Sequence, residues 1–195
     1  GGDEMKRALV LSGGGARGAF EVGALEYLVL REKLDFRVFI GTSVGALNAA
    51  FLGQARSYGE LVVLIRRLKE FWLGIKGNTS VYSRRFFSFL SLLCKDSLYQ
   101  PKALQSLIRQ EIDPARIFHP ATVVKVSTVA VETGELFYAN SRHPELRETF
   151  LDYVLASASM PLFFPATPVN GKHWYDGGLR DMTPLGAALE EYPDE

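Results

Sequence analysis

A serine flanked by glycines is the clearest place where this sequence could carry out chemistry. The run Gly41-Thr-Ser-Val-Gly45 matches Gly-x-Ser-x-Gly, the nucleophile elbow, in which a sharp turn between a strand and a helix holds the serine in a strained conformation. The helix that follows directs free N–H groups and the positive end of its dipole at the serine. The pattern also occurs in ordinary tight turns, but a predicted strand before it and a predicted helix after it favour the elbow. We therefore predict that Ser43 is a nucleophile.

A glycine-rich loop follows the first apolar run of the chain, with the sequence Ser-Gly-Gly-Gly-Ala-Arg-Gly at positions 12–18. A phosphate-binding P-loop is one interpretation, but the Lys-Ser or Lys-Thr pair that it requires is missing. A dinucleotide fingerprint could use Gly13, Gly15 and Gly18, although its acidic residue would be Asp35, which is a weak match. The third interpretation is an oxyanion hole, in which consecutive glycine N–H groups point at one spot. The loop alone leaves all three open, and its place just before the elbow favours the third.

An aspartate before two glycines is the candidate for the general base. The run Asp176-Gly-Gly178 follows a predicted hairpin strand, and its glycines permit a tight turn and a close approach to Ser43. Without Ser43, the same run would be interpreted as a plain Asx turn. A free aspartate, with a pKa of about 3.9, is a poor base for a hydroxyl, so burial beside the serine would have to raise that pKa.

The histidines decide between a catalytic triad and a dyad. A triad in the α/β-hydrolase order needs a histidine after the acid, but His119, His143 and His173 all precede Asp176. His173 lies closest, three residues earlier on the same predicted strand, and this spacing places the two side chains on opposite faces. We therefore predict a dyad, in which Asp176 itself accepts the Ser43 proton, and we keep a triad through His173 as the less favoured alternative.

The segments around these motifs have the pattern of an α/β protein. Apolar runs over 8–11 and 36–40 predict strands, the first of them buried, and apolar residues at helical spacing over 19–31 and 46–52 predict the helices that follow. A strand, a helix and a second strand joined by short turns make a βαβ unit. The sheet should therefore contain parallel strands with a right-handed crossover.

The later part of the chain adds helices and hairpins. The Asn-Gly pair at 170–171 is a strong signal for a two-residue hairpin turn. The remaining predicted elements are helices over 61–72, 101–111 and 144–159 and strands over 121–131, 136–139, 167–169 and 172–175.

A segment between the elbow and the later strands is expected to recognise the substrate. Residues 57–113 read as a variable helical stretch, and within it the run 81–94 is both aromatic and basic. That run either holds acyl chains or touches a membrane, or it is an ordinary core helix, and the pattern supports the two interpretations about equally.

Composition limits the classes of function. The chain has 195 residues, which suits one domain, and its 22 Lys and Arg balance its 22 Asp and Glu. It therefore lacks the basic excess of a nucleic-acid-binding protein. Its one cysteine, Cys94, excludes an internal disulfide, and together with the three scattered histidines it offers no metal site. No signal peptide is evident at the start, and we expect the natural protein to continue beyond Glu195.

The three motifs, in this order, resemble the patatin-like phospholipase family, in its bacterial form. The family pattern is a Gly-Gly-Gly-x-Arg/Lys-Gly loop, a Gly-x-Ser-x-Gly elbow and an Asp-Gly-Gly/Ala turn, which match residues 13–18, 41–45 and 176–178. The run Ala-Ser-Ala-Ser-Met-Pro at 156–161 also resembles the family's Ala-Ser-x-Ala-x-Pro stretch. The resemblance implies one patatin-like domain over 1–195, with a three-layer α/β/α fold and a mainly parallel central sheet.

The resemblance also implies a reaction, the hydrolysis of lipid carboxylic esters of the phospholipase A or lysophospholipase type through an acyl-enzyme. It implies Ser43 and Asp176 as the catalytic dyad, no metal or other cofactor, and a phospholipid or other lipid ester as substrate. We expect Arg17 to brace the glycine loop rather than to bind a phosphate. The implied oxyanion hole is Gly13, Gly14 and Gly15, and the implied supporting residues are Arg17, Gly41, Gly45, Gly177 and Gly178.

Two other functions use the same residues differently. The nucleophile could transfer the acyl group to an acceptor other than water, as an acyltransferase or thioesterase does, or the chain could be a non-catalytic lipid-binding module. We expect a cytoplasmic protein with peripheral membrane contact and no nucleic-acid partner. The sequence leaves the lipid headgroup, the chain length and the oligomeric state open.

Overall fold

A computed structural model of the chain describes residues 6–14, 18–73, 101–159, 165–191 and 193. Gly15 and Arg17 of the predicted glycine loop lie outside the described residues, as do the run 81–94 and the Met-Pro pair at 160–161.

The described strands form one six-stranded mixed sheet. They are β1 (Ala8–Leu11), β2 (Val38–Gly41), β3 (Val123–Ala130), β4 (Leu136–Asn140), β5 (Thr167–Val169) and β6 (Lys172–Asp176). The first three strands pair in parallel, as the predicted βαβ unit requires, while β4 and β6 pair antiparallel with β3, and β5 pairs antiparallel with β6.

The central strand β3 uses its two edges differently. Val126 pairs with both β2 and β4, and Thr128 pairs with both β4 and β6. A strand has two edges, so β4 occupies one of them and β2 and β6 share the other. The strand β2 runs parallel to β3 and ends at Gly41 opposite Val126, while β6 runs the opposite way and ends at Asp176 opposite Thr128. The ends of β2 and β6 therefore meet head to head beside β3.

Helices cover both faces of the sheet. They are α1 (Gly18–Glu26), continued by a π-helical turn (Tyr27–Arg31), α2 (Val44–Leu52), α3 (Tyr58–Leu73), α4 (Pro101–Glu111), α5 (Pro114–Ile117), α6 (Phe150–Ser157) and α7 (Leu185–Leu189). Because side chains alternate along a strand, Phe39 faces the large core formed with α1 to α6, while Val38 and Ile40 face Ala187 and Ala188 of α7.

A buried lysine attaches α7 to its face of the sheet. The Lys125 side chain is only 4 % exposed, and its Nζ donates to the Ala187 carbonyl at 3.0 Å and lies 2.9 Å from Glu191 Oε1. The other carboxylate oxygen of Glu191 accepts from Arg142 Nε at 2.8 Å. A buried charge needs such partners, and these partners connect the end of α7 to the middle of β3.

The hairpin prediction is confirmed, because Asn170 and Gly171 connect β5 and β6 with φ angles of 50° and 77°. The helix predicted over 144–159 was wrong in its first part. Pro144–Leu146 forms a short 3-10 helix instead, and the α-helix begins only at Phe150, because the Thr149 backbone, at φ −106° and ψ −4°, interrupts the helical geometry.

The expectation that β1 is buried was also wrong for most of its length. Only Leu11 at its end is buried, since β1 pairs with β2 alone and lies at the edge of the described sheet.

Candidate active site

Ser43 occupies a strained turn between β2 and α2. Its backbone has φ 59° and ψ −127°, a conformation that non-glycine residues rarely adopt, and its side chain is buried. The flanking glycines are required by space, because a Cβ on Gly41 would lie 2.2 Å from the Gly45 carbonyl oxygen, and one on Gly45 would lie 2.2 Å from the Leu11 carbonyl oxygen. The first turn of α2 begins at the next residue, so the serine lies at the N-terminal end of a helix dipole.

Asp176 lies at the end of β6, and its carboxyl is within interaction range of the Ser43 side chain. The aspartate is 4 % exposed, and burial raises the pKa of its carboxyl, while the Gly178 N–H and the Ser43 side chain oppose that rise. Its Oδ1 accepts the Gly178 N–H at 2.8 Å, so the run is an Asx turn, and a Cβ on Gly178 would lie 3.5 Å from Thr42 Cγ2 of the elbow. A carboxyl with a raised pKa beside a hydroxyl can act as a base for that hydroxyl.

The glycine after the aspartate fits against the central strand. A Cβ on Gly177 would lie 2.1 Å from Ser127 Oγ, so no other residue can occupy this position without displacing the turn. Ser127 is the β3 residue between Val126 and Thr128, where the ends of β2 and β6 meet. Close packing of Gly177 on Ser127 therefore fixes the approach of the Asp176 turn to the elbow.

The hydroxyls of Thr42 and Ser127 form hydrogen bonds next to Ser43 and Asp176. The Thr42 hydroxyl donates to the Asp181 carbonyl at 3.1 Å and is 2.7 Å from Ser127 Oγ, so it accepts from the Ser127 hydroxyl. The Asp181 carboxylate accepts instead from the Tyr138 hydroxyl at 2.6 Å, and burial, together with this contact, raises the pKa of Tyr138. These contacts hold the turn after Asp176 against the elbow.

The glycine loop lies against the serine, but its first N–H is occupied. A Cβ on Gly13 would be 3.1 Å from Ser43 Cβ, which places the loop beside the nucleophile. The Gly13 N–H, however, donates to the Met182 carbonyl at 3.1 Å, so Gly13 as an oxyanion donor is a correction to the prediction. Gly14 has φ 139°, a conformation that favours glycine, and it is exposed. Gly14 as an oxyanion donor stays a prediction.

An acidic residue that the motifs did not indicate supports this loop. Glu21 Oε1 accepts the Ser12 N–H at 2.9 Å and the Ser12 hydroxyl at 3.3 Å, and burial raises the pKa of the Glu21 carboxyl. One feature of the sequence could have indicated this role of Glu21, namely its position in the first turn of α1. An acidic side chain there can accept hydrogen bonds from backbone N–H groups just before the helix.

The three histidines contact residues other than Ser43 and Asp176. His173 is exposed, and its Nδ1 lies 2.9 Å from Glu132 Oε1, while His119 and His143 make contacts within their own turns. The alternative triad through His173 finds no support, since this side chain projects to solvent from the strand that buries Asp176.

The nucleotide interpretation of the glycine loop is also unsupported. Asp35 precedes β2, whereas the loop follows β1, and because the two strands are parallel these positions lie at opposite ends of the sheet. Asp35 is instead paired with Arg37. Among the described residues, no group of three or more His, Cys, Asp or Glu side chains could hold a metal ion.

Comparison with known proteins agrees with this arrangement. Residues 9–189 match the sequence model of the family described as patatin-like phospholipase. The chain belongs to the patatin-like phospholipase family. The predicted α/β fold of that family is confirmed, and the computed structure has helices against both faces of a mixed sheet.

Two relatives and one solved structure illustrate the similarity. An uncharacterised protein of Escherichia coli, YjjU, is 27 % identical over 187 residues, covering 94 % of this chain and 48 % of YjjU. A cGAMP-activated phospholipase of Vibrio cholerae is 29 % identical over 206 residues, covering 95 % of this chain and 57 % of the relative. The crystal structure of VipD from Legionella pneumophila shares the fold with a TM-score of 0.55 at 16 % identity, over 91 % of this chain and 46 % of VipD. The chain thus spans about half the length of the relatives it matches.

The length and apolar character of a helix decide whether it can cross a bilayer. None of the helices in the described ranges combines the length and the apolar character needed to cross a membrane.

Proposed function

We propose that the chain is a serine lipid acyl hydrolase that cleaves carboxylic esters with Ser43 as nucleophile and Asp176 as general base. The observation that carries the proposal is the position of the buried Asp176 carboxyl, whose turn packs against Thr42 of the elbow and which lies within interaction range of the Ser43 side chain. Burial also raises the pKa of this carboxyl, as a general base requires. The strained elbow and the dipole of α2 add to it, because both are features of nucleophilic serines.

The reaction proceeds in two steps through an acyl-enzyme. Asp176 takes the proton of the Ser43 hydroxyl as Ser43 Oγ attacks the ester carbonyl, and the negative charge that develops on the carbonyl oxygen is stabilised by the glycine loop. The alcohol leaves with the proton from Asp176. Asp176 then takes a proton from the water that attacks the acyl-enzyme, and it returns this proton to Ser43 Oγ as the bond to the acyl group breaks, which releases the fatty acid and restores the Ser43 hydroxyl.

We assign the oxyanion hole to the backbone of Gly14 and Gly15 and expect Arg17 to brace their loop. Gly13 then has a different task, because its N–H bonds the Met182 carbonyl and connects the loop to the turn that follows Asp176. Residues 57–113 of the single domain remain our candidate for the segment that recognises the substrate.

The substrate class follows from the family and from the surface beside the pair. The Vibrio cholerae relative is named as a phospholipase, and we extend a lipid ester substrate to this chain. Leu179, Met182 and Leu185 follow Asp176 within a few residues and are more than half exposed. Apolar side chains beside a lipid site suit contact with a lipid surface, so we expect peripheral membrane contact here.

The decisive experiment combines active-site labelling with product analysis. The purified chain is treated with a fluorophosphonate probe and, separately, with phosphatidylcholine and lysophosphatidylcholine vesicles, and fatty acid release is measured. We expect labelling and release with the natural sequence and neither with Ser43→Ala, while Ser106→Ala, an exposed serine on α4, is the control. Labelling that persists in Ser43→Ala would place the nucleophile elsewhere.

The same assay distinguishes the other uses of this nucleophile. Acyl glycerol formed at the expense of fatty acid when glycerol is added would indicate an acyltransferase, and faster cleavage of a thioester would indicate a thioesterase. Lipid binding without labelling or hydrolysis would indicate a binding module. Each of these three results would contradict hydrolysis as the proposed function.

A further inference from the structure

We propose that Ser157 is a positioning residue for the nucleophile, acting through the backbone N–H of Ser43. This inference rests on the proposed function. Ser157 is the last residue of α6, is fully buried, and accepts the Ser43 N–H on its Oγ at 3.0 Å.

The contact supplies a partner that the elbow itself lacks. Ser43 is the N-cap of α2, and its backbone, at φ 59°, belongs to neither β2 nor α2. Its N–H therefore has no acceptor from the pairing of a strand or from the hydrogen bonds within a helix. The group is buried, and a buried N–H without an acceptor is unfavourable. The Ser157 hydroxyl therefore helps to hold the strained conformation that presents the Ser43 side chain.

A second contact, from the residues that follow Ser157, holds the backbone of Asp176. The Asp176 N–H donates to the Ser159 carbonyl at 3.2 Å, and the Ser159 hydroxyl donates to Leu155 O at 2.7 Å, which fixes Ser159 on the end of α6. One short segment, residues 157–159, thus bonds the backbone N–H of both Ser43 and Asp176.

The segment 157–159 links two strands that do not pair with each other. In the described sheet β2 and β6 pair with β3 but not with each other, so the relative position of Ser43 and Asp176 depends on contacts across the junction. Ser157 does not bond the reacting side chains, so its loss should misplace the serine without changing the groups that react. A misplacement of about 1 Å can lower a rate by about a hundredfold.

The test compares Ser157→Ala with a matched hydrogen-bond deletion elsewhere. Ser141 Oγ accepts the Val124 N–H at 2.9 Å, so Ser141→Ala also removes a serine acceptor from a backbone N–H of the sheet, away from the pair. A third variant, Ser157→Cys, retains a weak acceptor of similar size. The measurements are kcat and KM on a soluble nitrophenyl ester, the rate of fluorophosphonate labelling, and the midpoint of thermal unfolding.

We expect Ser157→Ala to lower kcat and the labelling rate by about 10-fold to 100-fold with KM changed less than about twofold. Ser157→Cys should fall between Ser157→Ala and the natural sequence, and Ser141→Ala should lower the unfolding midpoint without this loss of kcat. If Ser157→Ala does not fold, the test compares the kcat of Ser157→Cys with that of Ser141→Ala. A lower kcat in Ser157→Cys supports the inference, and an equal kcat contradicts it.

Two outcomes would overturn the inference, and they are distinguishable from failure of the proposed function. Equal losses of kcat in Ser157→Ala and Ser141→Ala would mean a merely structural role, and an unchanged kcat in folded Ser157→Ala would mean no role. In both cases the natural sequence remains active. A natural sequence that neither reacts with the probe nor cleaves the ester refutes the proposed function and the role of Ser157 with it.

Discussion

The Asp176 carboxyl lies within interaction range of the Ser43 side chain, although the two residues come from strands that approach β3 from opposite directions. The shared edge of β3 accounts for this proximity, because β2 stops opposite Val126 and β6 stops opposite Thr128. The predictions below test what this relationship does.

Asp176→Asn should lower ester hydrolysis about as severely as Ser43→Ala, by at least about a thousandfold, because an amide cannot take the serine proton. Asp181→Asn is the matched control, since its carboxylate contacts Tyr138 and its bond to Thr42 uses the backbone carbonyl, which the substitution keeps. We expect Asp181→Asn to lose less than about tenfold in kcat/KM. A loss in Asp181→Asn equal to that of Asp176→Asn would contradict the assignment of the base.

Replacing each histidine by alanine should leave kcat within about threefold of the natural sequence, because none of the three is bonded to the pair. His173→Ala is the informative variant, since His173 lies on the same strand as Asp176 but pairs with Glu132 in solvent. Steady-state kinetics on folded protein checks this. Near-complete loss of activity in His173→Ala would restore the triad.

The pH dependence of kcat/KM should have an acid limb set by Asp176. The base must be ionised to take the serine proton, and burial raises the pKa of this carboxyl, so activity should decline at a higher pH than an ordinary aspartate would give. The measurement is kcat/KM on a soluble ester across the acid range. An acid limb at or below the ordinary aspartate pKa would contradict a buried base.

Asp176→Asn should also stabilise the folded protein at neutral pH. The folded-state pKa of Asp176 is raised by burial, so the folded chain holds its proton more tightly than the unfolded chain, and stability is lost as pH rises through the raised pKa. Asparagine removes this penalty and can still accept the Gly178 N–H. The midpoint of thermal unfolding of the variant should exceed that of the natural sequence at pH about 7, with the difference shrinking as the solution is acidified.

Asp152, whose half-buried carboxylate pairs with the exposed Arg109, is the control for this measurement. Its amide variant, Asp152→Asn, should not gain stability, because a surface ion pair contributes only about 0–1 kcal/mol. A midpoint for Asp176→Asn below that of the natural sequence at every pH would show that the charged form of Asp176 stabilises the fold.

Gly177→Ala should impair activity and stability together. Its Cβ would lie 2.1 Å from Ser127 Oγ, so the turn that carries Asp176 must move away from β3, at a cost of about 1–3 kcal/mol. Gly186→Ala, where a Cβ meets nothing within 4 Å, is the matched control and should be neutral or slightly stabilising because it lies in α7. Chemical denaturation and kcat measure the two effects. A Gly177→Ala protein as stable and active as Gly186→Ala would contradict the close packing.

Several local features were determined by the sequence itself. Two glycines around Ser43 allow the tight strand-to-helix turn, and Asn-Gly at 170–171 supplies the two positive φ angles that the hairpin needs. The alternation of apolar segments predicted the parallel unit of β1, α1 and β2. Each of these depends on residues that are close together in the chain, so residue type and spacing carry the information.

Contacts between distant segments were decided only by the tertiary structure. The sequence could not indicate that Gly13 donates its N–H to the Met182 carbonyl or that Ser157 accepts the Ser43 N–H. Each of these contacts depends on loop geometry that the spacing of residues does not encode.

The meeting of β2 and β6 on one edge of β3 has the same origin. Strand pairing is chosen by the burial of whole faces and by the length of β3, which is a property of the assembled sheet and not of any one motif. Sequence motifs therefore supplied the candidate residues, and the assembled sheet brought Asp176 beside Ser43 and buried its carboxyl.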